Sequence, residues 1–215
     1  MRTTLAVALA LGIACSGAAQ PTLGLRAGAN TSSWTGDGSD GSGSLQGFTG
    51  GLSVRSAITQ TTGVQGEIAY STRGARLENG IGDYTVRYVD VPVLLTVDVL
   101  SGSPAGAGIY AGPTVSVPLG AEFEYADGVT GAEGFEDSFE LNANTYVGLA
   151  LGTRAYVGPV GLDLRYEMGL SAIYGDDAVP RENTANRGLD LDDLRSRTLS
   201  VSLGYRFGGP SARRY

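Results

Sequence analysis

The chain has 215 residues, with 15 basic residues (all Arg, since Lys is absent) against 22 acidic ones, no His, and a net charge of −7. That length suits one domain, and 42% hydrophobic with 8% aromatic content excludes a disordered chain. No run of about 18 apolar residues follows the N-terminus, which excludes a helical membrane bundle.

Residues 1–19 read as a secretory signal peptide. Arg2 gives the basic start, Leu5 to Ile13 the apolar stretch, and Gly17 and Ala19 the small residues before cleavage. Cys15, the single cysteine, lies inside this segment. A lipoprotein cut before Cys15 wants a Leu-like residue where Gly12 stands, so cleavage after Ala19 is preferred. The mature chain then has no thiol and no disulfide.

From Leu23 onward, runs that alternate apolar and polar residues are separated by Gly/Asp/Ser-rich breaks. A period of two means strand, with one face committed to an apolar environment. Eight strands are predicted. The first is Leu23–Asn30, with Leu23, Leu25, Ala27 and Ala29 on the apolar face. After a long loop at 35–46 comes Gly47–Ile58, with Phe48, Gly50, Leu52 and Val54. A tight turn at 59–62 leads to Gly63–Arg76, with Val64, Gly66, Ile68 and Tyr70. The fourth, Tyr84–Val99, presents every odd residue from Val89 to Val99. The fifth, Gly108–Tyr125, runs from Ile109 through Val115, Val117 and Leu119 to Tyr125. A long loop at 126–137 precedes the sixth, Ser138–Val157, which presents Phe139, Val147, Leu149, Leu151 and Val157. A turn at 158–159 joins it to the seventh, Val160–Tyr174, with Leu162, Leu164, Tyr166 and Met168. Residues 175–194 form a third long loop, and the eighth strand, Arg195–Phe207, shows Leu199, Val201, Leu203, Tyr205 and Phe207. The 34 glycines and scattered prolines leave no room for long helices.

The apolar face carries no charge. The opposite face holds Arg26, Arg55, Glu67, Arg73, Asp90, Asp98, Glu122, Glu124, Glu140, Arg154, Asp163, Arg165, Glu167 and Arg206. Two architectures fit: a soluble sandwich that stacks its apolar faces, or an antiparallel up-and-down transmembrane β-barrel that turns them to lipid. The barrel is favoured. Many strands exceed the usual five or six residues and match a tilted bilayer span of about ten. The strand count is even, and long and short connections largely alternate, with 100–107 a mild exception. Phe48, Tyr70, Phe123, Tyr125, Phe139 and Tyr174 collect at one interface as an aromatic girdle, and Tyr205 and Phe207 mark the other. Eight strands enclose an interior that side chains fill, so a mixed Arg–carboxylate network is expected there rather than an aqueous channel.

The runs GLRAGANTSSWTGD, GVQGEIAYSTRGAR, YVDVPVLLTVDV, YAGPTVSVPL, GLDLRYEMGLSAI and TLSVSLGYRF, in that order, resemble the PorT-like outer-membrane β-barrel family of the Bacteroidetes type. The resemblance covers nearly all of residues 23–207. It implies an eight-stranded barrel in the Gram-negative outer membrane, in a family of mostly uncharacterised role whose namesake is linked to export of secreted proteins. No motif here carries that role. The tail GGPSARRY after Phe207 departs from the pattern, because such barrels commonly end on the aromatic read by the barrel assembly machinery.

Familiar outer-membrane hydrolases and acyltransferases use a His as base or proton carrier, and this chain has neither His nor the Lys of a Ser-Lys pair. The remaining carboxylate pairs, Glu122 with Glu124 and Asp163 with Glu167, read as lumen ion-pair partners. Asp37 and Asp40, like Asp190, Asp192 and Asp193, lack calcium-loop spacing and read as solvated acidic loops. The glycines of Gly106–Gly112 lack a phosphate-binding context. No catalytic, cofactor or metal site is expected. The acidic loops repel nucleic acid. Arg195 and Arg197 have lipid-facing parity and suit interface anchoring to headgroups or lipopolysaccharide phosphates. Pro92, Pro113 and Pro118 imply bulges and a weaker seam between strands four and five.

The expectation is a monomeric, non-enzymatic barrel over 20–207 with a C-terminal tail at 208–215, periplasmic termini and extracellular long loops. Its partners would be outer-membrane lipid and lipopolysaccharide, the barrel assembly machinery and an envelope protein. Its role would be structural or interactive at the cell surface, assisting envelope secretion or assembly. A lipid- or small-ligand-binding barrel is the alternative.

Overall fold

A computed structural model describes residues 21–36, 42–77, 82–101, 104–125, 138–141, 143–173 and 194–207. The signal segment 1–19, the tail 208–215, the loops 126–137 and 175–193, and Asp37, Asp40, Asp190, Asp192 and Asp193 lie outside the described residues. The strands are β1 (Thr22–Thr35), β2 (Ser42–Ala57), β3 (Thr62–Leu77), β4 (Gly82–Ser101) and β5 (Ala105–Tyr125). They continue as β6 (Ser138–Leu141), β7 (Tyr146–Val157), β8 (Val160–Gly169) and β9 (Arg195–Phe207). Every pairing is antiparallel, and β9 returns to β1 from Leu23↔Phe207 to Thr35↔Arg195. That contact closes an eight-stranded barrel.

The nine segments make eight staves because β6 and β7 divide one of them. β6 pairs with the far part of β5, and β7 with Ala105–Ser116. The expected continuous strand 138–157 is therefore interrupted. The expected strand 160–174 also stops early, at Gly169, and the chain turns inward: Ile173 N donates to Leu194 O at 2.8 Å and Asn144 N to Ile173 O at 2.7 Å. β1, in contrast, runs five residues past Asn30 to Thr35. Residues 102–104 are all that separate β4 from β5, so the connections at 58–61, 102–104 and 158–159 are all short and lie at the termini end.

Alternation decides what faces out. Leu23, Leu25, Leu52, Leu95, Ile109, Leu149, Leu162, Leu203 and Phe207 are all exposed, as a lipid-facing band requires. Closure leaves no open edge around the band. Two bulges interrupt the β4–β5 register. Arg87↔Gly120 is followed by Tyr88↔Pro118, leaving Leu119 as an extra residue, and Asp98↔Gly108 by Leu100↔Ala107, leaving Val99. The first adjoins Pro118. Past Pro92 and Pro113 the register is unshifted, with no β4–β5 pair between Pro92↔Thr114 and Leu95↔Ala111.

Candidate functional site: the barrel lumen

Large ionic residues in the lumen stand beside small ones on adjacent strands, which is how a narrow barrel is filled. Arg165 lies level with Gly152 and Ser200, and Glu167 with Ala150 and Thr198. The inner face of β9 is Ser196, Thr198, Ser200 and Ser202, all buried. These short hydroxyls leave room for guanidinium groups.

The central layer is built on Glu67 and Arg165, each with a side chain 1% exposed. Arg165 donates Nη1 and Nη2 to the two Glu67 oxygens at 2.9 and 2.7 Å, and Nε to the Tyr110 hydroxyl at 3.0 Å. Such bidentate, charge-assisted bonds are the strong and directional kind. Arg26 Nε and Gln65 Nε2 also donate to Glu67, at 3.1 and 2.6 Å. The Tyr110 hydroxyl in turn donates to Asp163 at 2.8 Å.

Toward the loop end, Arg73 donates Nη2 to Asp90 and Glu167, both at 2.6 Å, and Nη1 to the Tyr146 hydroxyl. Ser71 and Ser116 each donate to Asp90 at 2.6 Å. Above this layer sits an apolar lid of Trp34, Tyr84, Val86, Tyr88, Tyr146, Ile173 and Leu194. Its rings pack at 5.0 Å (Trp34–Tyr84) and 5.4 Å (Tyr88–Tyr146). The lid keeps water off the ion pairs, which strengthens them electrostatically and makes any unpaired partner costly.

Toward the termini end the lumen is wetter. Arg55 donates to Asp98 at 2.7 Å and to Thr96 at 3.0 Å, and the Arg55 side chain is 20% exposed. Arg154 donates Nη1 to Gln65 Oε1 at 2.7 Å and lies 5.5 Å from the Tyr110 ring centroid. Arg206 stacks 3.7 Å over Tyr156 and donates to Gly158 O at 2.9 Å.

The lumen thus brings together Arg26, Arg55, Glu67, Arg73, Asp98, Arg154, Asp163, Arg165, Glu167 and Arg206, with Asp90. Glu122 and Glu124 are not among them. The extra residue at Leu119 inverts the parity of β5, so Ala121 is buried while Glu122 and Glu124 turn outward. Glu122 accepts from Arg87 at 2.8 Å on the outer face. The Glu140 side chain lies outside the described residues.

Of the girdle, Phe48 and Tyr70 stack at 5.3 Å on the outside, and Tyr205 and Phe207 at 5.0 Å at the other rim. The side chains of Phe123, Tyr125 and Phe139, and all of Tyr174, lie outside the described residues. In the backbone, Phe123 shares its level with inward-facing Tyr84, a consequence of the same inversion. Sequence reasoning missed the lid, Tyr110, Gln65 and the Arg76–Asp83 and Arg87–Glu122 pairs of the outer rim. The apolar parity of Trp34, Tyr84 and Val86 inside a nominally polar face was the available signal.

Arginine–carboxylate pairs linked in this way hold one another fixed. Among the described residues, no three His, Cys, Asp or Glu side chains converge as a metal site.

Known proteins give the following comparisons. The Ail attachment invasion locus protein of Yersinia pestis is similar in structure, at 18% identity and TM-score 0.49, covering 88% of this chain and 100% of that one. Neisserial surface protein A gives 15% identity and TM-score 0.49, over 86% of this chain and 97% of its own. A major outer membrane protein from Thermus thermophilus gives 15% and 0.48, over 88% and 100%. No curated protein matches the sequence. The model of the outer membrane protein beta-barrel domain matches residues 18–175, and with strand closure, a lipid-suited exterior and a filled interior in place, the chain belongs to that family.

Proposed function

We propose that this is a non-enzymatic outer-membrane barrel with a structural or interaction role at the cell surface, presenting its loop end to the exterior and its termini to the periplasm. The carrying observation is the filled lumen: the Glu67–Arg165 layer, the Arg73 layer and the lid of Trp34 and Tyr84 occupy the bore in series. With the bore occupied, recognition falls to the outer rim and loops.

The distribution of charge supports this orientation. Among the described residues, the outward charged side chains are Arg76, Asp83, Arg87, Glu122, Glu124, Arg195 and Arg197, all near the loop end. Ten residues separate Phe207 from Arg197; at about 3.4 Å per residue and a tilt of about 40° that is roughly 26 Å along the normal, against an apolar band of about 25 Å. Arg197 thus stands at headgroup level, where Arg195 and Arg197 suit the phosphates of lipopolysaccharide. Assistance to an envelope secretion or assembly system follows the ordered PorT-like motifs and is the finer part of the proposal, as are monomeric state and assembly by the barrel machinery.

Cell fractionation with heat-modifiable gel mobility tests the placement: the protein should partition with outer membranes and migrate anomalously until boiled. Cysteines introduced in 175–194 should label in intact cells and capture an envelope partner. Labelling only after permeabilisation would reverse the orientation. The alternative, a small-ligand barrel, is favoured by one feature, the wetter termini end of the lumen.

A further inference from the structure

Water access changes sharply along the bore. At the central layer the Arg165 and Glu67 side chains are 1% exposed, whereas Asp163 is 16% and Arg55 20% exposed just below. A vestibule therefore opens at the termini end, with the central layer as its ceiling. Its charged walls are Arg26, level with Gly204 and tied to Glu67 in the ceiling, and Arg55, Arg154 and Arg206, against Asp98 and Asp163.

The cations there are not matched by the acids. Asp98 gives Oδ2 to Arg55, and its buried Oδ1, which has no hydrogen-bond partner among the described residues, lies by Gly108, the cross-strand partner of Arg154. Asp163 accepts the Tyr110 hydroxyl and lies 3.8 Å from Arg165 in the ceiling. Arg154 and Arg206 form no ion pair among the described residues; their contacts are an amide, a carbonyl and aromatic faces. Arg154 Nε and Nη2 have no hydrogen-bond partner among the described residues, although both are buried. These two donors share one edge of the guanidinium, the fork that grips a carboxylate or phosphate with two parallel bonds. Gln65 holds the opposite nitrogen, Nη1, and is itself tied to Glu67. A buried charged donor without an acceptor is unfavourable, so rotation of this edge toward an incoming acceptor relieves the chain.

Glycines line the two neighbouring strands. Gly161 and Gly204 are paired on β8 and β9, one step below Asp163 and Ser202. A Cβ built on Gly204 would meet only the Leu25 and Gly161 carbonyl oxygens, at 3.5 and 4.0 Å. The opening sits between the level of Arg154 and that of Arg206.

We propose that this vestibule binds a small oxyanion, a phosphate or carboxylate group, between Arg154 and Arg206 with Arg55 alongside, entering from the termini side. The site is independent of the surface role above, since it requires only the closed barrel.

The full chain, folded in detergent at low ionic strength, is titrated by calorimetry with inorganic phosphate and, separately, with citrate. Saturable binding of at least one is expected; phosphate alone assigns a phosphate group and citrate alone a carboxylate. Affinity should fall at least tenfold in Arg154→Gln and in Gly204→Glu, which places a carboxylate in the opening. Heat-modifiable mobility verifies folding of each variant, and Arg206→Gln replaces any that fails. Absence of saturable binding by the native chain, or native affinity in folded Arg154→Gln and Gly204→Glu, would overturn the proposal.

Discussion

Arg165 ties the central layer together, bridging β8 to Glu67 across the bore and steadying Tyr110. Arg165→Met should lower stability by about 3–5 kcal/mol, because it removes the bidentate partner of buried Glu67 and leaves Arg26 alone to offset Glu67 beside Glu167; unfolding by denaturant in lipid or detergent reads this directly. Arg87→Ala removes an exposed pair and should cost below about 1 kcal/mol, and an equal loss in the two variants would contradict the division between bore and rim. Gly152→Ala is the steric counterpart. Its Cβ would overlap the Tyr110 hydroxyl and the Leu164 carbonyl oxygen, so Tyr110 must leave Asp163 and the β7–β8 backbone must shift, at about 1–3 kcal/mol for the overpacking. Alternation made the inward parity of Glu67 and Arg165 readable, because each sits between lipid-facing neighbours. Their partnership was not readable, since β3 and β8 meet only across the closed bore. Glu122 was misread for a different reason. Parity is a cumulative count, and a single extra residue beside Pro118 reverses everything after it.

At the level of elements, proline proves less disruptive than its chemistry suggests. β4 and β5 stay in register through Pro92 and Pro113, from Tyr88↔Pro118 to Asp98↔Gly108. Hydrogen exchange should find Leu95, Val97, Ile109 and Ala111 as protected as Ala27 and Leu203 on the closing β1–β9 seam. Faster exchange confined to β4–β5 would restore the weak seam expected from the prolines. The strand ends were the least legible part. Thr31–Thr35 lacks apolar alternation, yet β1 continues because β9 supplies a partner for each residue up to Arg195. That extension carries Trp34 into the lid. β8 stops at Gly169 for the converse reason, as Ile173 turns in to meet Leu194.

For the whole molecule, Trp34 is a built-in reporter, being the single tryptophan of the chain and facing inward against Tyr84. In bilayers with brominated acyl chains its fluorescence should be nearly unquenched, and iodide should quench it weakly. Strong quenching by the lipid would mean that the interior and exterior of β1 are exchanged. The eight-stave architecture was legible because lipid imposes a strict exclusion on every second residue over long strands. The stratification of the bore into lid, ion layers and vestibule was not, because it depends on which staves stand opposite. The confinement of outward charge to a single rim also has a mechanical consequence. Sinking the barrel toward its termini would drag Arg87, Arg195 and Arg197 into hydrocarbon, at up to about 2–4 kcal/mol apiece near the midplane, whereas displacement the opposite way immerses no outward ionised side chain among the described residues. The protein is held like a flanged plug, with a hard stop against movement toward its termini and only the soft drag of Tyr205 and Phe207 against movement toward its loops.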